Sequence, residues 1–91
     1  MYAMQARFDK RQSFYGKTMI DECSKKGKTV MTLYSYGVPV ARFDVDAKKF
    51  TLLEKWNFSQ TTRRHVKEFA RQNYAEDQYE KAKKEWGKDE D

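Results

Sequence analysis

The sequence predicts an α+β fold: an antiparallel meander of about four strands covered by one amphipathic helix, with a second, charged helix at the C-terminus. Three observations carry that expectation. Between Ser13 and Trp56, short runs rich in β-branched and aromatic residues recur at regular spacing, separated by turn-forming stretches. From Ser59 onward the apolar period lengthens to about 3.6 residues. After Tyr74 acidic and basic residues intermingle around an apolar residue at every third or fourth position.

Taken in order, the first twelve residues, MYAMQARFDKRQ, show neither alternation nor a helix cap. They read as a frayed terminus or as a short strand or turn added to a sheet edge. SFYGKTMIDEC, Ser13 to Cys23, sets Phe14, Gly16, Thr18 and Ile20 on one parity and Tyr15, Lys17, Met19 and Asp21 on the other, which suits a strand. SKKGK is a turn, and TVMTLYSY, Thr29 to Tyr36, is the plainest strand of the chain. Gly37 to Pro39 interrupts it, because proline has no amide to give a ladder. GVPVARFDV then either begins an edge strand at Val38 or resumes after a bulge, hairpinned to the preceding strand. Val40 and Arg42 fall on one face, Ala41, Phe43 and Val45 on the other. DAKK turns again, and FTLLEKW, Phe50 to about Trp56, is the last strand.

One face of that meander needs a cover. At about 100° per residue from Thr62, the apolar arc takes Val66, Phe69, Ala70 and Asn73, while Arg63, Arg64, Lys67 and Arg71 gather on the opposite side. Ser59 is the expected N-cap, its hydroxyl accepting the amide of Thr62, with Thr61 as the competing cap and Phe58 packing back on the first turn. His65 sits at the margin of the arc and is expected to be partly buried. Ala75, Tyr79, Ala82 and Trp86 then mark a second helix, or a continuation of the first, ended by Gly87. Asp77 with Lys81 and Glu80 with Lys84 have the favourable i, i+4 order.

Composition bounds the function. A chain of 91 residues is one domain: an uncertain segment 1–12, a body 13–74, and a charged helix with an acidic tail 75–91. Mean hydropathy is low at -1.08, yet 15% of residues are aromatic, so a few large rings supply much of the burial. No apolar run approaches the ~20 residues of a membrane span, and the N-terminus lacks the apolar core of a signal peptide; a soluble, cytoplasmic protein with no membrane partner is expected. The single cysteine, Cys23, cannot form an internal disulfide and reads as a reduced strand residue. One cysteine and one histidine do not make a protein-only zinc site, so neither a metal nor another cofactor is expected.

The formal charge of +5 is uneven: residues 1–74 hold 15 Lys and Arg against 7 Asp and Glu, an excess of +8, and residues 75–91 carry -3. A basic body favours anionic partners. Arg63, Arg64, Lys67 and Arg71, with Lys17 from the first strand, form the candidate binding set, beside the free amides of the helix start at Ser59, Thr61 and Thr62. Such a surface suits phosphate backbones without base-edge readout. Tyr15, Tyr34 or Tyr36, if exposed, offer rings for base stacking. The acidic end either forms a solvated helix face or folds back on the basic stripe. P-loop, Rossmann, HExxH and GxSxG patterns are all missing from the sequence. The one enzyme-like assembly is His65 as general base with Lys17, Tyr15 or Arg64 beside it; a packing role for His65 is the simpler reading, and a non-enzymatic protein is expected.

SFYGK at 13–17, LYSYGVPVA at 33–41 and WNFSQTTRRHVKEF at 56–69 occur in that order. The succession resembles a family of small, mostly uncharacterised proteins frequent in phages and mobile elements of Gram-positive bacteria. Its recurrent residues fall on Phe14, Tyr15, Gly16, Lys17, Ser35, Tyr36, Ala41, Ser59, Thr61, Thr62, His65 and Phe69. Thr18 and the Val38–Pro39 turn depart from its pattern. The resemblance implies a mobile-element setting and no catalytic mechanism. In that setting the expected role is binding of a host protein or ribonucleoprotein that processes nucleic acid, for example as an inhibitor of a CRISPR effector. The alternatives are direct nucleic-acid binding and a small nuclease-like enzyme using His65.

Overall fold

The computed structural model describes residues 2–4 and 17–89, with side chains through Trp86, and the β-rich runs form a single sheet. Strands β1 (Tyr2–Ala3), β2 (Thr18–Lys25), β3 (Lys28–Ser35), β4 (Val38–Asp44) and β5 (Lys49–Leu52) lie in chain order, each antiparallel to the next. The meander is as expected, with one strand more. The addition is β1, which pairs Tyr2 with Ile20 and Ala3 with Met19 at the sheet edge. Thr18 ties it down by donating its hydroxyl to the Met4 carbonyl at 3.0 Å. Of the first strand's expected residues, 13–16 lie outside the described residues, as do 5–12 and the acidic residues 90 and 91.

Turn chemistry sets the register. Lys26–Gly27 and Tyr36–Gly37 are two-residue hairpin loops with positive φ at both positions, 52° and 78° in the first and 53° and 79° in the second. This geometry matches the twist of the flanking strands and suits glycine, while Lys26 and Tyr36 adopt it at a cost. After β4, the Asp44 carboxylate accepts the amides of Asp46 and Ala47, each at 3.1 Å, and so closes the next turn.

β4 is an inner strand, which removes the edge-strand option for Val38. The bulge option holds, since Leu33 faces Ala41 whereas Tyr34 faces Pro39, leaving Val40 as the extra residue. The shift explains why Val40 and Ala41 are both buried although they are neighbours. β5 stops at Leu52, short of the expected Trp56. Leu53 still donates to Val40 at 3.0 Å, but the next residue of β4 is Pro39, which has no amide to continue the ladder. The chain turns instead through bonds from Trp56 to Leu53 and from Phe58 to Lys55.

Ile20, Leu33, Val40, Phe43, Phe50 and Leu52 line the buried face of the sheet, and helix α1 (Gln60–Gln72) covers it with Val66, Phe69 and Ala70. On the other face Arg42 and Thr51 are exposed, while Met19, Asp21, Thr32 and Tyr34 are half-buried. Helix α1 ends at Asn73, with Tyr74 in the left-handed region at φ 56°. Ala75 donates to Ala70 at 2.8 Å and Tyr74 to Arg71 at 3.1 Å, the paired bonds of a Schellman stop. Asn73, placed on the apolar arc by periodicity, is this C-cap. Its side chain donates to the Phe69 carbonyl.

Helix α2 (Glu76–Asp89) is therefore a separate helix, and Gly87 does not end it. A helical glycine costs about 1 kcal/mol relative to alanine but stops a helix only where the chain turns left-handed. The ion pairs also differ from the expected i, i+4 set: Glu80 holds Lys83 at 3.4 Å, and Glu76 holds Arg71 across the helix junction at 3.3 Å. A ladder of rings joins the layers, Phe69 to Phe50, Phe50 to Tyr79 and Tyr79 to Trp56 at 6.2 Å each, then Trp56 to Trp86 at 6.4 Å. Gln78 seals the outer edge of β5, accepting the Phe50 amide at 2.9 Å and donating to the Lys48 carbonyl at 2.7 Å.

Candidate functional site

The helix start is a hydrogen-bonded cluster facing inward. Ser59 Oγ accepts the Thr62 amide at 3.1 Å and donates to Thr62 Oγ1 at 3.1 Å. Thr62 Oγ1 lies 3.4 Å from Ser35 Oγ on β3, which lies 2.8 Å from His65 Nδ1. Ser59 is the cap, and Thr61 sits half-buried within the first turn. Phe58 does not pack back on the helix, being 77% exposed. His65 is buried completely rather than partly, and Ser35 is 3% exposed, so the serine–histidine pair is sealed from solvent. Glu68, which periodicity left unplaced, is also buried and accepts from Gln72 Nε2 at 2.6 Å.

The outward side of α1 carries Arg63, Arg64 and Lys67, and the structure brings these three together as one wall of a groove of 540 Å³. The opposite wall comes from α2, where Tyr79, Lys83 and Trp86 share a face at i, i+4 and i+7. Trp56, Asn57 and Gln60 close the end between them. Among the described residues, no aspartate or glutamate lines the groove. Lys83 Nζ lies 5.5 Å from the centroid of the Tyr79 ring and shares its charge with Glu80. Burial pushes the Tyr79 hydroxyl up, Glu80 adds to the rise, and Arg63 opposes it. Trp56 is 4% exposed, and its indole Nε1 has no hydrogen-bond partner among the described residues.

Two members of the expected basic set lie elsewhere. Arg71 is committed to Glu76. Lys17 stands 5.9 Å from the Tyr36 ring centroid, and Tyr36 in turn contacts the His65 ring at 5.9 Å. Lys17 therefore belongs with the helix-start cluster and is not a wall of the groove. Of the rings expected for stacking, Tyr34 is half-buried, Tyr36 is 53% exposed at a hairpin tip, and Tyr15 lies outside the described residues.

Sequence reasoning did not identify Trp56, Tyr79, Lys83 and Trp86 as groove residues. The signal was there in part: Lys83 falls between Tyr79 and Trp86 on one helical face, although that face read as a purely apolar stripe. Among the described residues, no group of three or more His, Cys, Asp or Glu could hold a metal ion, and no helix is long and apolar enough to cross a membrane. Cys23 is a free, exposed residue of β2.

No curated protein and no solved structure matches the chain. Residues 2–88 match a family of unknown function, DUF8033, and the chain belongs to that family.

Proposed function

We propose that this protein is a non-enzymatic nucleic-acid-binding protein that grips phosphate backbones through the outward side of α1. The observation that carries the reading is the wall formed by Arg63, Arg64 and Lys67, three cations on one helix facing Lys83 across the groove, with no carboxylate among the described lining residues. Cations held together on a rigid helix attract a polyanion by releasing its counterions, and that term dominates affinity. The sealed position of His65 supports its reading as a structural residue. Fluorescence anisotropy with labelled oligonucleotides across a salt series tests the proposal. Replacing Arg63, Arg64 and Lys67 with alanine lowers affinity and flattens the log–log salt slope by about 2 for single strands. Unchanged affinity and slope in a folded triple variant refute it.

A second reading is favoured by the exposure of Phe58 at 77% and Tyr74 at 96%. Exposed rings are common anchors of protein interfaces. Here the protein is a mobile-element accessory factor in the bacterial cytoplasm. It binds a host nucleic-acid-processing complex, with inhibition of a CRISPR effector as the outcome, and the basic face meets an acidic surface of that complex or its bound RNA. A protein partner kept after nuclease treatment and lost on Phe58→Ala or Tyr74→Ala supports this reading. Co-purifying nucleic acid alone supports the first.

A further inference from the structure

We propose that the groove between α1 and α2 is a single-strand site, in which an unpaired base seats against Trp86 while Arg63, Arg64 and Lys67 take the adjoining phosphates. The inference rests on the nucleic-acid reading above and sharpens it to a substrate class. Three observations support it. The groove's 540 Å³ lies within the roughly 300–1,000 Å³ span of ligand-holding clefts. Its two walls differ in character, guanidinium and ammonium groups alone on α1 and, on α2, the rings of Tyr79 and Trp86 with Lys83 between them. Trp86 is only half-buried, its ring supported by Trp56 at 65° between planes.

The geometry separates single strands from duplex. Arg63 and Lys67 lie one helical turn apart, about 6 Å along the axis, comparable to the separation of successive phosphates on an extended strand. Each base of a single strand exposes a π-face that an indole can cover; in a duplex those faces are already stacked on one another. The aromatic wall therefore adds affinity only for unpaired bases, while the cationic wall serves both forms.

The test is an affinity comparison of an oligodeoxythymidine of about 12 nucleotides, the corresponding duplex, and thymidine monophosphate, using the full chain. Wild-type protein binds the single strand at least ~10-fold more tightly than the duplex, binds the mononucleotide far more weakly than either, and loses indole emission on binding the strand. Trp86→Leu, which keeps an apolar side chain, weakens single-strand binding ~10-fold and leaves duplex binding unchanged, while Trp86→Phe retains most of the affinity. Equal or tighter duplex binding, or unaltered single-strand affinity in folded Trp86→Leu, overturns the inference. Mononucleotide binding as tight as the oligomer's overturns it in favour of a nucleotide pocket. Should Trp86→Leu fail to fold, the strand-to-duplex ratio and the wild-type quenching decide. Failure of the broader reading looks different: the alanine variants of Arg63, Arg64 and Lys67 then leave both single-strand and duplex binding untouched.

Discussion

Ser59 does two jobs at once, capping α1 with its oxygen and donating a hydrogen bond from its hydroxyl to Thr62 Oγ1. Ser59→Ala removes both bonds and is expected to cost about 1 kcal/mol, read as a lower urea midpoint at unchanged slope. Tyr74 presents the opposite case. It holds a left-handed conformation at φ 56°, and its side chain, 96% exposed, gains almost nothing by burial. Glycine takes that conformation without strain, so Tyr74→Gly is expected to stabilise the fold by about 0.5–1 kcal/mol, raising the melting temperature by a few degrees. At this scale the sequence was informative where the chemistry is local. The cap at Ser59 follows from the residues beside it. The complete burial of His65 does not, because Ser35 lies thirty positions away on β3. The exposure of Phe58 likewise depends on where the turn after β5 points, which Pro39 decides from the neighbouring strand.

At the scale of elements, the joint between α2 and β5 holds the second wall of the groove. Gln78 supplies both a donor and an acceptor to the strand's outer edge. Gln78→Leu leaves the Phe50 amide unpaired, costs about 1–2 kcal/mol, and is expected to speed hydrogen exchange at that amide more than at the core of β3. Tyr79 at this joint and Tyr2 on β1 make the fold sensitive to alkali. Burial raises the Tyr79 hydroxyl above its ordinary value of 10.0, and burial with the Glu22 carboxylate pushes Tyr2 up to about 12. A group with a raised folded-state pKa stabilises fully below its unfolded value and progressively less as pH climbs through the folded one. Melting temperature is therefore expected to hold near neutrality and decline above about pH 10, and Tyr79→Phe shallows that decline. Period and turn chemistry made β3, β4 and α1 legible, whereas the edge strand β1 could not be told from a frayed terminus or a turn, since two residues of strand carry no period. Gly87 misled for a physical reason: the stop signal belongs to a left-handed turn, and here the turn is made by Tyr74.

For the whole molecule, the net charge of +5 is less informative than its placement. The stripe of Arg63, Arg64 and Lys67 could be read from helical period alone. Its partner wall could not, because the rotation of α2 is set by Tyr79 packing edge-on against Phe50 and Trp56, contacts between segments far apart in the chain. The same tertiary contacts withdraw Arg71 into a pair with Glu76 and place Lys17 beside Tyr36. A basic helix face thus becomes a two-walled groove only once the sheet, the proline-limited end of β5 and the Schellman turn have positioned both helices.

The chain has two tryptophans, and both line the groove, so two indole N–H signals in a proton–nitrogen correlation spectrum report on it directly. On titration with an oligodeoxythymidine, a single strand seated in the groove shifts the Trp56 and Trp86 indole signals together with the backbone amides of Arg63, Arg64, Lys67 and Lys83. Static indole signals, with the shifts gathered instead around Lys17 and Tyr36 or absent at saturating oligonucleotide, contradict it.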